Sequence, residues 1–184
     1  TAGNSMLVFV GLPWEYNNKL YNVAAAIQDG KLLGLVPKRW IPNYSEFYEG
    51  RYFNSGWEKT IDVSWDGYQV PMGMKLLFSC DNVENLVVGA EICEDVWVLN
   101  PPSIAHASAG ATVIVNCSAS DEVTGKSEYR RSLISGQSAR LLCAYIYANA
   151  GEGESSQDLV FGGQNIIAEN GNILSESARF ENQT

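Results

Sequence analysis

Three short apolar segments separated by two helical patterns constrain the fold more than any other feature of the sequence. The segments are Leu86–Ala90, Ala111–Asn116 and Ala144–Asn149, and continuous apolar runs of this length are typical of strands buried on both faces of a sheet. Between them, Pro101–Ala109 and Ser127–Leu142 have the pattern of helices. Strands that alternate with helices in this way predict an α/β fold with helices covering the sheet.

The second of these helices carries a cluster of basic residues. Its periodicity places Leu133 and Ile134 on one side and Arg130, Arg131 and Arg140 on the other. We therefore expect the three arginines to lie on a solvated helix face.

Turn signals predict antiparallel pairing elsewhere in the chain. Asp29–Gly30 and Asn170–Gly171 each separate two apolar segments, which is a strong signal for a hairpin. Met6–Gly11 reads as a strand, and Pro13–Asn18 after it reads as a hairpin loop. The aromatic and charged segment Asn43–Ser55 has no clean period and is interpreted as a structured loop.

Length and charge limit the classes of partner. The chain has 184 residues, of which 46% are hydrophobic, and this suits one domain with a sizeable core. Its net charge of −9 and pI of about 4.5 argue against binding nucleic acid or an anionic membrane, since both require clustered basic residues. No apolar run approaches the roughly 18 residues of a membrane span.

The spacing of the cysteines predicts that they are reduced and that they do not bind a metal. Cys80, Cys93, Cys117 and Cys143 have no metal-ligand spacing, and His106 is the single histidine. We therefore predict no metal site. Reduced cysteines in an α/β protein of this size fit a cytoplasmic location better than a disulfide framework.

Cys93 is the best candidate for a nucleophile. It directly follows the apolar strand pattern, within Glu91-Ile92-Cys93-Glu94-Asp95-Val96-Trp97, so it would be presented at a sheet edge. A buried, unreactive cysteine is the simpler interpretation, but the carboxylates of Glu91, Glu94 and Asp95 are costly to bury without partners.

A cysteine nucleophile must also be activated. His106 lies in a small-residue helix and is better explained as a packed or surface residue, so lysine and carboxylates remain. Lys38 follows another strand pattern, Leu32–Val36. A lysine near a cysteine lowers the pKa of the thiol and can stabilise an oxyanion. From the residues alone, a catalytic Lys38 and an ordinary surface lysine stay equally open.

Three segments together resemble a known family. They are Gly11–Asn22, Pro37–Arg51 and Gly89–Trp97, supported by Asn116–Ser120 and Tyr147–Gly151. With these segments the chain resembles the nitrilase, or carbon–nitrogen hydrolase, superfamily. Within it, the chain is most similar to the glutaminase domains of glutamine-dependent NAD synthetases, and the resemblance covers nearly all residues.

The resemblance implies a fold and a set of site residues. The fold would be α/β, a nitrilase-like α-β-β-α sandwich, here truncated at the amino terminus. Cys93 would be the nucleophile and Lys38 the catalytic lysine, with Glu46 or Glu49 as a supporting carboxylate. The glutamine pocket would be lined by Tyr44, Phe47, Glu94, Trp97, Ser120 and Lys126, with Lys126 placed to meet the substrate carboxylate.

The resemblance also implies that parts of the family pattern lie outside these residues. The family's catalytic glutamate precedes the lysine in a segment that the chain does not contain, because Glu15 is the only glutamate before Lys38 and its setting matches a hairpin loop. Residues 1–184 are therefore expected to be a partial carbon–nitrogen hydrolase domain with little activity alone, without the synthetase domain.

The expected activity is glutamine amide hydrolysis through a cysteine thioester, which would supply ammonia for ATP-dependent NAD synthesis. No cofactor is expected in this domain; ATP and deamido-NAD would bind the synthetase domain of the same chain, and the protein would be a homo-oligomer. A stand-alone amidase or carbamoylase of the superfamily is one alternative. A non-catalytic domain with an incomplete site is another.

Overall fold

The amino-terminal part of the chain forms a five-stranded sheet. The structure, a computed structural model, describes residue 3 and residues 5–154 and 158–181. The strand order is β1-β2-β3-β5-β4. The strands are β1 (Val8–Tyr16), β2 (Lys19–Gln28), β3 (Lys31–Pro37), β4 (Ile61–Trp65) and β5 (Tyr68–Met72).

Two-residue turns close the hairpins of this sheet. Both residues of Asp29–Gly30, between β2 and β3, have positive φ angles of 48° and 76°, which the right-handed twist of the flanking strands favours. Asn17–Asn18, between β1 and β2, has φ angles of 50° and 58°. The hairpin loop predicted at Pro13–Asn18 is therefore too long, because β1 continues to Tyr16 and places Glu15 on a strand opposite Leu20.

The carboxyl-terminal part forms a six-stranded sheet in the order β11-β10-β9-β8-β7-β6. Its three central strands run parallel, as the alternation of strand and helix predicts. The elements are β6 (Leu77–Ser79), β7 (Val87–Ile92), α1 (Pro102–Ser108), β8 (Val113–Ser118), α2 (Lys126–Leu141), β9 (Ala144–Asn149), β10 (Ile166–Glu169) and β11 (Asn172–Glu176).

The two sheets pack face to face. Ala24 and Val36 from the first sheet meet Ala90 and Ile92 from the second in a shared apolar layer. On the outer face of the second sheet, α2 buries Ile134 against β9 and β10. Within residues 5–154 and 158–181, both α-helices cover this sheet, so the described layers are β-β-α.

The predicted solvated face of α2 is wrong for one of its arginines. The side chain of Arg130 is fully buried, whereas Arg131 and Arg140 are exposed, as expected. Arg130 is covered because the segment after β8 folds over it: its guanidinium donates hydrogen bonds to the Asp121 carbonyl (2.9 Å) and the Glu122 carboxylate (3.1 Å). Periodicity shows which side of a helix a residue occupies, but not that a loop will cover that side.

Candidate active site

Cys93 lies at the carboxyl end of β7 in a strained backbone conformation. It begins a 3₁₀ helix, Cys93–Val96, and its φ angle of 45° is in the left-handed region that residues with a side chain rarely adopt. The backbone N–H of Cys93 donates a hydrogen bond to Oδ1 of Asn116 on the neighbouring strand (2.8 Å). Strain of this kind persists only where surrounding contacts fix it, and it concentrates at functional sites.

The carboxylates around Cys93 have the partners that their burial requires. Glu91 and Asp95 are buried, and burial raises the pKa of Glu91 to about 7 and that of Asp95 to about 6. Glu94 is half-buried, and its two oxygens accept a hydrogen bond from the Tyr44 hydroxyl (3.0 and 2.9 Å). Burial also raises the pKa of Glu94. These side chains therefore shape the site around the thiol.

Asp95 joins the loop that carries Cys93 to the loop that follows Lys38. Its Oδ1 accepts hydrogen bonds from the backbone N–H groups of Trp40 (2.8 Å) and Arg39 (3.1 Å), and its Oδ2 accepts one from Ile92 (3.0 Å). The Lys38 backbone is held from the other side by an N–H hydrogen bond to the Asn22 carbonyl (2.8 Å). Two strand ends that are distant in sequence are thereby fixed at one place.

Lys38 is a buried residue rather than a surface lysine. Its side chain is fully buried, and Nζ donates to both carboxylate oxygens of Glu49 at 2.8 Å. Glu49 is therefore the carboxylate that pairs with Lys38. The sequence alone had left the choice between Glu46 and Glu49 open. Glu46 instead lines a cavity that Lys38 does not line, and there hydrogen bonding and the charge of Lys126 lower the pKa of Glu46.

A cavity of about 430 Å³ opens over Cys93 and Glu94. This volume is within the range of small-molecule sites. All six residues predicted to bind substrate line it together with the nucleophile candidate: Tyr44, Phe47, Glu94, Trp97, Ser120 and Lys126. The sequence did not single out further wall residues, namely Val123, Thr124, Gly125 and Tyr129, because they follow no strand and belong to no motif with recognisable chemistry.

Lys126 supplies the cation of this cavity and is held by three partners. Its ammonium pairs with the Asp121 carboxylate. The same group lies over the rings of Phe47 (5.5 Å) and Trp97 (5.6 Å), which suits a cation–π contact. The cavity therefore presents positive charge between aromatic faces and negative charge on Glu46, Glu94 and Asp121 nearby.

A second cavity, of about 320 Å³, also has Cys93 in its wall. Lys38, Glu49 and Glu154 line it together with Cys93 and Cys117. Cys117 was predicted to be a buried bystander; it is partly buried, and burial raises the pKa of its thiol. Cys93 thus lines both cavities, and Lys38 lines the smaller of the two.

Two residues that the sequence did not assign to the site stay outside it in the structure. His106 is packed in the core with Nε2 at 2.8 Å from the Met74 carbonyl, so it is remote from thiol activation. Glu15 lines neither of the two cavities that contain Cys93.

Among the described residues, no group of three or more His, Cys, Asp or Glu side chains could hold a metal ion. In the same residues, no helix is long and apolar enough to cross a membrane.

Comparison with known proteins gives a consistent family. The model of the family described as carbon-nitrogen hydrolase matches residues 1–184. A glutamine-dependent NAD(+) synthetase of Mycobacterium bovis is 45% identical over 174 residues, 95% of this chain and 26% of that protein. One from Aquifex aeolicus is 32% identical over 182 residues, 98% of this chain and 28% of that protein. The chain thus spans about a quarter of the length of these relatives.

Solved structures support the same fold. A glutamine-dependent NAD(+) synthetase from Cytophaga hutchinsonii superimposes with a TM-score of 0.84 at 29% identity, covering 96% of this chain and 28% of that one. An amidase of the nitrilase superfamily from Nesterenkonia has a TM-score of 0.69 at 18% identity, with coverage of 95% and 58%. The predicted nitrilase-like α/β fold is confirmed.

Proposed function

Since the chain belongs to the carbon–nitrogen hydrolase family, we propose that in the full-length protein it hydrolyses the side-chain amide of glutamine through a thioester on Cys93. One observation carries the proposal: the strained Cys93 lines the smaller cavity together with the buried Lys38–Glu49 pair, and it also lines the larger cavity, which suits an amino acid. An ammonium held at a thiol favours the thiolate, which is the reactive form of cysteine.

The chemistry proceeds in two stages. The Cys93 thiol gives up its proton and its sulfur attacks the amide carbon, so the carbonyl oxygen becomes an oxyanion. The carbon–nitrogen bond then breaks as that proton passes to the nitrogen, which leaves as ammonia. Water then attacks the thioester, which releases glutamate and restores the thiol. Lys38 has three N–H donors, of which Glu49 engages two, so the third can face the developing oxyanion.

The charges of the larger cavity match the α-carbon end of glutamine. Free glutamine carries an ammonium and a carboxylate at that end. Lys126 is positioned to attract the carboxylate, and Glu46 and Glu94 provide negative charge for the ammonium. Tyr44 and Phe47 would pack against the aliphatic part, since their rings form an edge contact at 5.7 Å beside the cavity.

We also propose that the ammonia serves NAD synthesis in the whole protein. The relatives named glutamine-dependent NAD(+) synthetase are more than three times as long as this chain, which supports a synthetase domain in the same chain. ATP and deamido-NAD would be that domain's substrates, and a cytoplasmic homo-oligomer remains our expectation. A stand-alone amidase is less well supported, because the amidase structure is similar only in fold and superimposes less closely.

A glutamine-analogue electrophile tests the function. We expect a diazo-ketone analogue of glutamine to label Cys93, and added glutamine to protect Cys93 far better than simple aliphatic amides. Equal protection by those amides would favour the stand-alone amidase, and no protection by any amide would favour a non-catalytic domain. Labelling of Cys117 with Cys93 untouched would remove the assignment of the nucleophile.

Lys38→Ala tests the role of the buried lysine. In the full-length protein we expect ammonia release from glutamine to fall by about 10²–10³-fold, because one oxyanion donor is typically worth that much. The measurement is paired with circular dichroism to show that the variant is folded. Near-normal turnover in a folded Lys38→Ala variant would show that the lysine only packs.

A further inference from the structure

A buried row of hydrogen bonds leads away from the backbone of Cys93. Its N–H donates to Oδ1 of Asn116, and Nδ2 of Asn116 donates to the Tyr145 hydroxyl (3.1 Å). That hydroxyl donates to Oε1 of Glu91 (2.5 Å), and Oε2 of Glu91 accepts the backbone N–H of Ser103 at the start of α1 (2.8 Å). Asn116, Tyr145 and Glu91 are at most 1% exposed, so no solvent can replace a lost partner.

Strand register explains why these side chains meet. Glu91 on β7 lies directly opposite Asn116 on β8, and Tyr145 on β9 lies opposite Ile114, two residues before Asn116. Side chains two residues apart on a strand point to the same face, here the face covered by α1 and α2. The three side chains therefore bridge the central strands β7, β8 and β9 beneath the nucleophile.

Both ends of this row fix the direction of its bonds, because the backbone N–H of Cys93 can only donate and the Glu91 carboxylate, when ionised, can only accept. An ionised carboxylate only accepts hydrogen bonds, so Tyr145 must donate to it. The phenol oxygen is then the acceptor for the amide nitrogen of Asn116, which turns Oδ1 toward Cys93. The reverse orientation would aim an N–H₂ group at the Cys93 N–H.

We propose that Glu91, Tyr145 and Asn116 form a positioning relay that holds the backbone of Cys93 in its left-handed conformation and so aims the thiol between its two cavities. The relay touches no substrate. Its effect on turnover rests on the proposed glutaminase function, but its effect on Cys93 itself does not. The groups facing Glu91 are Tyr145 and Cys143 near β9, Asp95 in the 3₁₀ helix and the Ser103 N–H of α1.

A reversal of the relay tests its direction. In Asn116→Asp, one carboxylate oxygen can still accept the Cys93 N–H. The other oxygen needs a donor, but the Tyr145 hydroxyl already donates its proton to Glu91. In the double variant Asn116→Asp with Glu91→Gln, the new amide at position 91 can donate to the Tyr145 hydroxyl, which is then free to donate to the new carboxylate at position 116. We expect the single variant to lose about 10- to 100-fold in kcat, as small misplacements of a reacting group do, and the double variant to recover most of that loss.

Two readouts do not depend on glutamine turnover. One is the second-order rate of Cys93 alkylation by iodoacetamide, and the other is hydrogen exchange of the Cys93 amide in the ¹⁵N-labelled full chain, both measured well above the pKa of Glu91. Asn116→Asp should slow alkylation and expose the Cys93 amide, with both restored in the double variant. If the wild-type full-length protein releases no ammonia from glutamine, the proposed function fails while these two readouts still decide the relay.

Tyr147→Phe is the matched control for Tyr145→Phe. Tyr147 is also fully buried on β9, and its hydroxyl pairs with Ser118 at 2.6 Å, outside the relay. We expect Tyr145→Phe to speed hydrogen exchange of the Cys93 amide and to lower kcat with KM little altered, whereas Tyr147→Phe changes the exchange of that amide much less. Equal effects of the two substitutions, or a double variant no better than Asn116→Asp alone, would overturn the proposal.

Discussion

Arg130 and Arg131 are adjacent in sequence, yet replacing each by methionine should have very different effects. The Arg130 side chain is fully buried and donates hydrogen bonds to Glu122 (3.1 Å), to the Asp121 carbonyl (2.9 Å) and to Gln164. The Arg131 side chain is 47% exposed and pairs only with Glu176 at 2.9 Å among the described residues. The same substitution therefore removes a buried ion pair in one variant and a surface ion pair in the other.

The expected losses follow from burial. Removing one partner of a buried ion pair costs about 3–5 kcal/mol, because the other charge stays buried without compensation. Glu122 keeps a second partner, Arg179 at 3.2 Å, so Arg130→Met should lose about 3–4 kcal/mol. Arg131→Met should lose at most about 1 kcal/mol, as surface pairs do. For a chain of this length the first loss corresponds to a Tm lower by roughly 6–16 °C.

Urea unfolding of both variants, followed by tryptophan fluorescence, measures this difference. Arg130 also fixes the segment Ser120–Glu122 beside the larger cavity, so glutamine should protect Cys93 from labelling less well in Arg130→Met. If the unfolding free energies of the two variants differ by less than about 1 kcal/mol, the buried network adds no more stability than a surface ion pair. That result would refute the reasoning.

Three further outcomes are expected. Glu49→Gln should reduce ammonia release far more than Glu46→Gln, because only Glu49 pairs with Lys38; equal losses would argue against the assignment. Cys117→Ser should leave labelling at Cys93 intact, checked by peptide mass spectrometry. Burial raises the pKa of Glu91 to about 7, from 4.5, so the folded state keeps a proton that the unfolded state loses. Wild-type stability should therefore fall as pH rises between these values, and Glu91→Gln should remove about 3 kcal/mol of that fall; parallel stability–pH curves for the two proteins would contradict this.

Local features of the sequence were enough to predict the order of strands and helices in the second sheet. The runs Leu86–Ala90, Ala111–Asn116 and Ala144–Asn149 became its three parallel strands because buried strands need apolar side chains on both faces. Asp29–Gly30 and Asn170–Gly171 became tight turns because these residue types tolerate positive φ angles. The six residues predicted to line the glutamine pocket all line one cavity with Cys93.

Other assignments required the tertiary structure. Glu46 and Glu49 are three residues apart in one loop, and only the path of that loop shows that Glu49 reaches the buried Lys38. The sequence placed Arg130 with Arg131 because periodicity describes a helix in isolation, while burial of Arg130 depends on a segment that folds over it.

The partners of Cys93 show the same division. The position of the cysteine at a strand end can be predicted from its neighbours, since the apolar run and the turn that ends it are local. Asn116 and Tyr145 had no local signal, because a hydrogen bond across three strands depends on register, and register is fixed only when the sheets pack. The sequence by itself therefore predicted which residue could react, and the tertiary structure decided which residues contact its backbone.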